Sequence, residues 1–460
     1  MRIKIILDVD NEDQVVFLEH VRGDENNLPS WVNASGQPFL KVNINNDGSV
    51  NNIEKDTAIS AKDDVIISQF IEQYQDIIET ESSGISADDD SLTSDIEDIQ
   101  PYDPELIRVD TKPFSLKQVY ELMEDGDIDL STDFQRHFVW KEAQKKSRLI
   151  ESIMLRIPLP VFYLSQDKVG KFQVVDGLQR LTVINQFLNN KFKLHDLEYL
   201  KECEGSYYNS GHKVLDPKYI RRITQTQLVI NIIDPQTPNR VKFEIFKRLN
   251  QGGKPLRPQE IRNCMASTLV RDLINEMANS NEFLVATDNS VNPIRMEDQE
   301  LVLRYVGFYY SEFIPGRNHK YTGYMESFLD ETLNILNNAD SAHITRIRVG
   351  FTNAMLNSKY LFGYYAFRKC LHEHLTHTAK KQLINKSLFT AWSVVLSEYD
   401  HEFIKNKLPE HCLNLPLADR IEDDGAYYDA LSFGTNDLYR IQKSFEVANE
   451  LLSQEFEKYA

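Results

Sequence analysis

The sequence predicts an α+β protein in three parts: a small acidic β-containing head, an α/β middle and a mainly helical remainder. Three observations carry this. Residues 1–60 hold short β-branched or aromatic runs separated by turn formers. Residues 112–257 alternate strand-like runs with runs at helical spacing. From Pro258 onward, aromatic-rich apolar residues recur at helical spacing without a fixed-period repeat. The chain has 460 residues, which suggests roughly three domains at about 150 residues each.

In the head, Ile3–Leu7, Val15–Leu18 and Phe39–Ile44 read as strands, and residues 63–80 as a helix with Ile66, Phe70, Ile71 and Ile77 on one side. The acidic, Ser-rich stretch after it has the composition of a linker. The predicted boundaries are therefore 1–80 for the head, 81–111 for the linker, 112–257 for the α/β part and 258–460 for the helical part. In the α/β part, Ser115–Glu124 reads as a helix and residues 131–140 as a loop or short strand. Lys141–Leu155 is an amphipathic helix stopped by Pro158 and Pro160. Val161–Leu164 and Phe172–Val175 read as strands, Leu181–Leu188 as a helix, Gln227–Ile233 as an apolar strand and Lys242–Leu249 as a helix. Pro258 suits the first turn of a long helix reaching about Asn279.

Charge is unevenly spread. The net charge is −19, but residues 1–110 hold 7 Lys and Arg against 25 Asp and Glu. The remainder is nearly balanced and can carry basic patches, so the acidity does not argue against a nucleic-acid partner. Four scattered cysteines make neither a disulfide framework nor a paired-cysteine metal knuckle. No apolar run approaches the roughly 20 residues of a membrane span. The first ten residues lack a full apolar core and a cleavage site for a secretory signal. The expected location is the cytoplasm, with no membrane partner.

The sharpest segment is Phe172–Thr182, which reads strand, tight turn, helix. A helix N-terminus leaves backbone N–H groups open and carries partial positive charge, so it can receive a phosphate. Gly177 lets the backbone approach a ligand, and Arg180 can fork onto phosphate oxygens. The competing reading is structural, because Asp176 and Gln179 have capping-box spacing. Asp176 repels a bare phosphate, which a divalent cation between them would relieve. Arg136 stands among Phe134, Phe138 and Trp140, where the aromatics either stack a base or simply pack. Asn250, Gly252 and Gly253 precede a Pro-started helix and serve either a ligand or a plain turn. His372-Glu373-His374 with His377 does not complete a metal signature, and no metal site is expected.

Asp176-Gly177-Leu178-Gln179-Arg180 resembles the DGQQR motif of the N-terminal domain family of GmrSD-type modification-dependent restriction endonucleases. The resemblance extends in order through Phe134-Gln135-Arg136 with Val139-Trp140, Leu149–Ile153 with Ile157–Pro160, and Phe246–Gly253 with Leu256 and Glu260. It continues through Arg295, Asp298, Glu300 and Arg304. Leu178 stands where the family pattern has its first Gln. The family belongs to the ParB/sulfiredoxin-like folds, so the resemblance implies such an α/β domain at 112–257. It implies that Gly177, Gln179 and Arg180 hold nucleotide phosphates, with Gln135, Asn250, Gly252 and Gly253 as further binding residues. Asp176, Arg180 and Arg136 are the candidate catalytic groups. The implied ligand is an NTP of unspecified base, with Mg2+ as a companion ion. The implied partners are DNA and a separate nuclease subunit, since no nuclease element is recognisable near the C-terminus. Two readings follow: an NTP-hydrolysing, DNA-associated module of a restriction or phage-defence system, or a non-catalytic nucleotide- or DNA-binding regulatory module.

Overall fold

The computed structural model describes residues 2–9, 12–21, 30–33, 38–45, 49–87, 108–130, 142–167, 170–237, 239–249, 257–376 and 378–460. The chain forms two compact units: Met1–Ile99 together with Thr268–Ala460, and Gln100–Ser267.

The first unit begins with an antiparallel meander in sequence order: β1 (Arg2–Val9), β2 (Glu12–Val21), β3 (Ser30–Asn33), β4 (Leu40–Ile44) and β5 (Val50–Lys55). Period-two alternation buries Ile3, Ile5, Leu7 and Val9 on one face. Helix α1 (Asp63–Ser82) closes that face with Ile66 and Phe70, the latter edge-on to Trp31. It also covers the free edge of β1. Gln73 Oε1 accepts from Lys4 N, and the Gln69 amide accepts from Ile6 N and donates to Ile6 O, at 2.9–3.1 Å. Glutamines four apart on the helix thus meet alternate residues of an edge strand that would otherwise offer open donors and acceptors. The sequence predicts three of these strands. It misses β3, four residues long, and the largely polar β5, which become strands by pairing on either side of the apolar β4.

The second unit holds β6 (Val109–Ser115), α2 (Leu116–Glu124), β7 (Ile128–Asp129), α3 (Ala143–Met154), β8 (Phe162–Gln166), β9 (Phe172–Asp176), α4 (Leu178–Leu188), α5 (Pro217–Gln225), β10 (Gln227–Ile233), α6 (Asn239–Leu249) and α7 (Pro258–Met265). Its mixed sheet has the order β6-β10-β8-β9-β7. Strand β10 runs parallel to β8 and antiparallel to β6, and β9 is antiparallel to β8 and parallel to β7. Leu164 and Val174 of the sheet share a core with Val119 of α2, Ile150 and Ile153 of α3, and Leu181, Ile184 and Phe187 of α4. Strand β6 is largely exposed and contains Pro113, which an edge strand tolerates; its polar composition hides it from a search for apolar runs.

Beyond it come α8 (Thr268–Ala278), α9 (Asn281–Ala286), α10 (Glu297–Tyr309), α11 (Met325–Asn337), α12 (Ser341–Phe362), α13 (Lys386–Ser397), α14 (His401–Lys407), α15 (Asn414–Asp423), α16 (Gly425–Ala430) and α17 (Leu438–Lys458). The single long helix predicted from Pro258 is two helices, α7 and α8. The backbone turns extended at Ala266 (φ −70°, ψ 140°), which breaks the carbonyl ladder. Helix α13 is buried along its whole length and packs against α10, α12 and α17, so its apolar residues are not confined to one stripe and its polar ones are buried among them. The chain leaving α1 joins this helical part through backbone bonds from Asn292 N to Ser83 O (2.8 Å) and from Ser86 N to Ile384 O (2.7 Å). Cys203, Cys264 and Cys370 are buried free thiols and Cys412 is half-buried. Among the described residues no helix is long and apolar enough to cross a membrane.

Candidate functional site

The turn between β9 and α4 is built from a strand that ends on Asp176 and a helix that starts at Leu178. Gly177 joins them in the left-handed region (φ 97°, ψ 9°), a conformation that costs L side chains roughly 1–2 kcal/mol. A Cβ there would also lie 2.4 Å from Phe162 Cδ1 and 3.1 Å from Arg180 Nη2, so space and backbone both require glycine. Leu181 N is the first to donate back along α4, to Gly177 O at 2.9 Å. The N–H groups of Leu178, Gln179 and Arg180 are therefore the open donors of this N-terminus.

The capping-box expectation for Asp176 and Gln179 is overturned. Gly177 is the N-cap and α4 has no side-chain cap bond. Asp176 is still in β9, one residue too early to cap. Its carboxylate instead meets Arg180 Nη2 at 2.9 Å. Arg180 also donates Nη1 to Pro160 O and Nη2 to Val161 O (3.3 Å). Its guanidinium carbon lies 4.3 Å from the centre of the Phe162 ring. Burial lowers the pKa of Arg180 and Asp176 opposes that shift; the group stays cationic at any physiological pH. The Arg180 side chain is 14% exposed and that of Asp176 37%, so both still reach solvent. Gln179 is half-buried. Leu178 is 5% exposed and belongs to the core. Position 178 therefore faces the hydrophobic interior in this chain.

Gln135, Arg136, Asn250, Gly252 and Gly253 lie outside the described residues. Helices α6 and α7 pack against β9, and polar atoms are buried on two of these elements. Gln173 Nε2 of β9 and Gln259 Oε1 and Asn263 Nδ2 of α7 have no hydrogen-bond partner. Such atoms are rare in folded proteins and mark places where water or a ligand is accommodated.

Sequence reasoning missed the role of Glu151. It is 3% exposed, and its carboxylate accepts from Glu198 N (3.0 Å), Tyr199 N (2.7 Å) and Leu200 N (2.8 Å). Burial alone would raise its pKa; the three backbone donors outweigh that and hold it below the usual value. A carboxylate inside an apolar helix run was the available signal. Several basic side chains of the second unit are engaged within it. Lys146 donates to Gln186 (3.0 Å), and Lys213 donates to the carbonyls of Glu202 and Glu204 (2.7 Å each). Arg222 donates Nη1 to Met154 O (3.2 Å), yet with Arg156 it also lines a cavity of about 410 Å3 that has no acidic lining residue. Arg304 and Glu300 of α10 pair at 2.9 Å, and Lys386 bridges Glu297 and Glu300 at 3.1 and 3.0 Å. Burial raises Asp298 to about 6. His372 meets Glu422 at 2.9 Å and Asp419 at 3.0 Å, one carboxylate per ring nitrogen. His377 lies outside the described residues. Among the described residues no group of three or more His, Cys, Asp or Glu could hold a metal ion.

A comparison with curated proteins gives no match to the chain. Residues 116–267, from the first residue of α2 to the last of the second compact unit, match the family model of the GmrSD restriction endonuclease N-terminal domain.

Proposed function

We propose that the second unit is a nucleotide-binding module of a restriction system and that it hydrolyses an NTP in association with DNA. The turn from Asp176 to Arg180 carries this reading. It combines a backbone that only glycine allows, three open N–H donors and a guanidinium at the start of one helix. Those are the elements that cradle phosphate oxygens. The match of residues 116–267 to a restriction-endonuclease domain family supports the context.

The chain's own groups divide the work as follows. The N–H groups of Leu178, Gln179 and Arg180 receive phosphate oxygens. Arg180, held in place by the carbonyls of Pro160 and Val161 and the ring of Phe162, adds positive charge beside them. Asp176 keeps Arg180 oriented, and its solvent-facing side can orient water or meet a companion Mg2+. A lone carboxylate suits Mg2+, which keeps several waters and takes its other ligands from the nucleotide phosphates; the ion would neutralise phosphate charge. The cavity beside Arg156 and Arg222 suits a DNA phosphate backbone.

Phosphate-release assays with four NTPs and Mg2+ test the proposal. Hydrolysis that Arg180→Ala lowers by about two orders of magnitude is the expected result, in line with the loss of a single transition-state donor. Triphosphate binding without release favours the non-catalytic regulatory reading. Absence of triphosphate binding in the folded chain rejects the hydrolytic reading and leaves only the DNA-binding form of the regulatory one.

A further inference from the structure

We infer that a cavity beside the C-terminal end of α12, in the unit formed by residues 1–99 and 268–460, binds a nucleoside monophosphate. It encloses about 360 Å3, the small end of the range for ligand sites. Arg368, Lys380 and Lys381 line it and no lining residue is acidic, although the chain as a whole carries −19. Carboxylates meet the lining groups without lining the cavity themselves: Asp288 pairs with Lys381, Glu81 interacts electrostatically with Lys380, and Glu373 approaches His374. The charged side chains that line the cavity are cations. The ligand is therefore an anion.

The donors differ in availability. Arg368 is 2% exposed, and four of its five N–H groups are engaged. It donates to the carbonyls of Tyr364 (3.3 Å), Gln382 and Thr287 (2.9 Å) and to Ser290 Oγ (2.8 Å). It supplies field rather than contact. Lys380 is exposed and is the available ammonium. His374 Nδ1 accepts from Leu371 N at 3.0 Å, so a neutral ring carries its proton on Nε2; the exposed Glu373 lies 3.5 Å from that nitrogen. His411 also lines the cavity. Burial pushes the Cys370 thiol up to about 11, so it adds no negative charge.

Aromatic rings also line the cavity. The rings of Tyr364 and Tyr365 stand at 86° with centres 6.0 Å apart, and the buried Phe362 is a further lining residue. A planar base laid on one ring meets the edge of the other, a favourable aromatic geometry. A free phosphate would not use these rings, and an apolar ligand would not suit the cations. Phosphate at Lys380 with a base at the tyrosines uses both.

The test is calorimetry on the full chain with AMP, adenosine and inorganic phosphate as separate probes. AMP is expected to bind, with each fragment at least about tenfold weaker. Lys380→Glu and Tyr364→Ala should each weaken AMP by roughly tenfold, with melting temperature confirming that both variants fold. Arg180→Ala, in the other unit, should leave AMP binding unchanged, so this inference and the triphosphate reading can fail separately. No AMP binding overturns the assignment. So does phosphate binding as tightly as AMP, AMP binding insensitive to Lys380→Glu, or AMP binding lost in Arg180→Ala.

Discussion

Arg180 and Arg368 are both buried guanidiniums that donate to main-chain carbonyls, and they do opposite things. Arg368 ties the chain at Thr287 and Ser290 to that at Tyr364 and Gln382, with no carboxylate among its bonded partners. It is a strut, 2% exposed, with four of its five N–H groups bonded within the fold. Arg180 makes fewer bonds to the backbone, pairs with a carboxylate, and keeps 14% of its side chain in solvent at an open helix N-terminus. An arginine that is buried and spends most of its donors internally offers a ligand little; one that keeps an accessible edge beside open N–H groups offers more.

The largest expected effect is on the strut. Arg368→Met removes the guanidinium donors to the carbonyls of Tyr364 and Gln382, and one of the donors to Thr287, whose carbonyl keeps Ser290; it should destabilise the chain by about 3–5 kcal/mol. Urea unfolding would read this, and a loss below about 1 kcal/mol would erase the contrast with Arg180. Gly177→Ala comes next. It forces a left-handed alanine against Phe162, at an expected cost of about 2–4 kcal/mol. A variant that unfolds like wild type would mean that the turn relaxes easily and is not a rigid phosphate cradle.

Glu151→Gln sharpens the comparison from the anionic side. The amide turns one of two acceptor oxygens into a donor facing backbone N–H groups, which should cost about 2–3 kcal/mol. The wild-type contribution has a defined pH sign. Because the folded pKa lies below the ordinary value, the stabilisation is complete above that value and fades as pH falls through the folded pKa. The variant should therefore show a flatter loss of stability in acid. The smallest effect belongs to His372, whose pKa is raised by its hydrogen bond to Glu422 and by the charges of Glu422 and Asp419. Its stabilisation is present below the unfolded value of about 6.5 and is lost as pH rises through the folded value. His372→Gln should flatten the stability profile on the alkaline side of that value, and an unchanged slope would show that the two carboxylates do not hold the imidazolium.

Local pattern was enough to expose the strand, glycine turn and helix of residues 172–188, because a buried strand and an amphipathic helix carry distinct periods. It misjudged the helix start by three residues, since Leu178 and Gly177 signal little until the strand's end is known. Glu151 was visible only as part of a motif. Its acceptor role depends on a loop 47 to 49 residues away folding back to it, and spacing in sequence cannot reveal that.

Composition and periodicity alone decided the α+β class, the acidic head and the helical character of the C-terminal half, because each depends on residues close together in the chain. Long-range pairing decided the rest. Val109–Ser115 is too polar and Ser30–Asn33 too short to stand out as strands, and both become strands because neighbouring strands supply hydrogen bonds. Arg180 and Arg368 likewise look alike as residues. Which one is a strut and which keeps an exposed edge was settled by the carbonyls that the folded chain brings within reach.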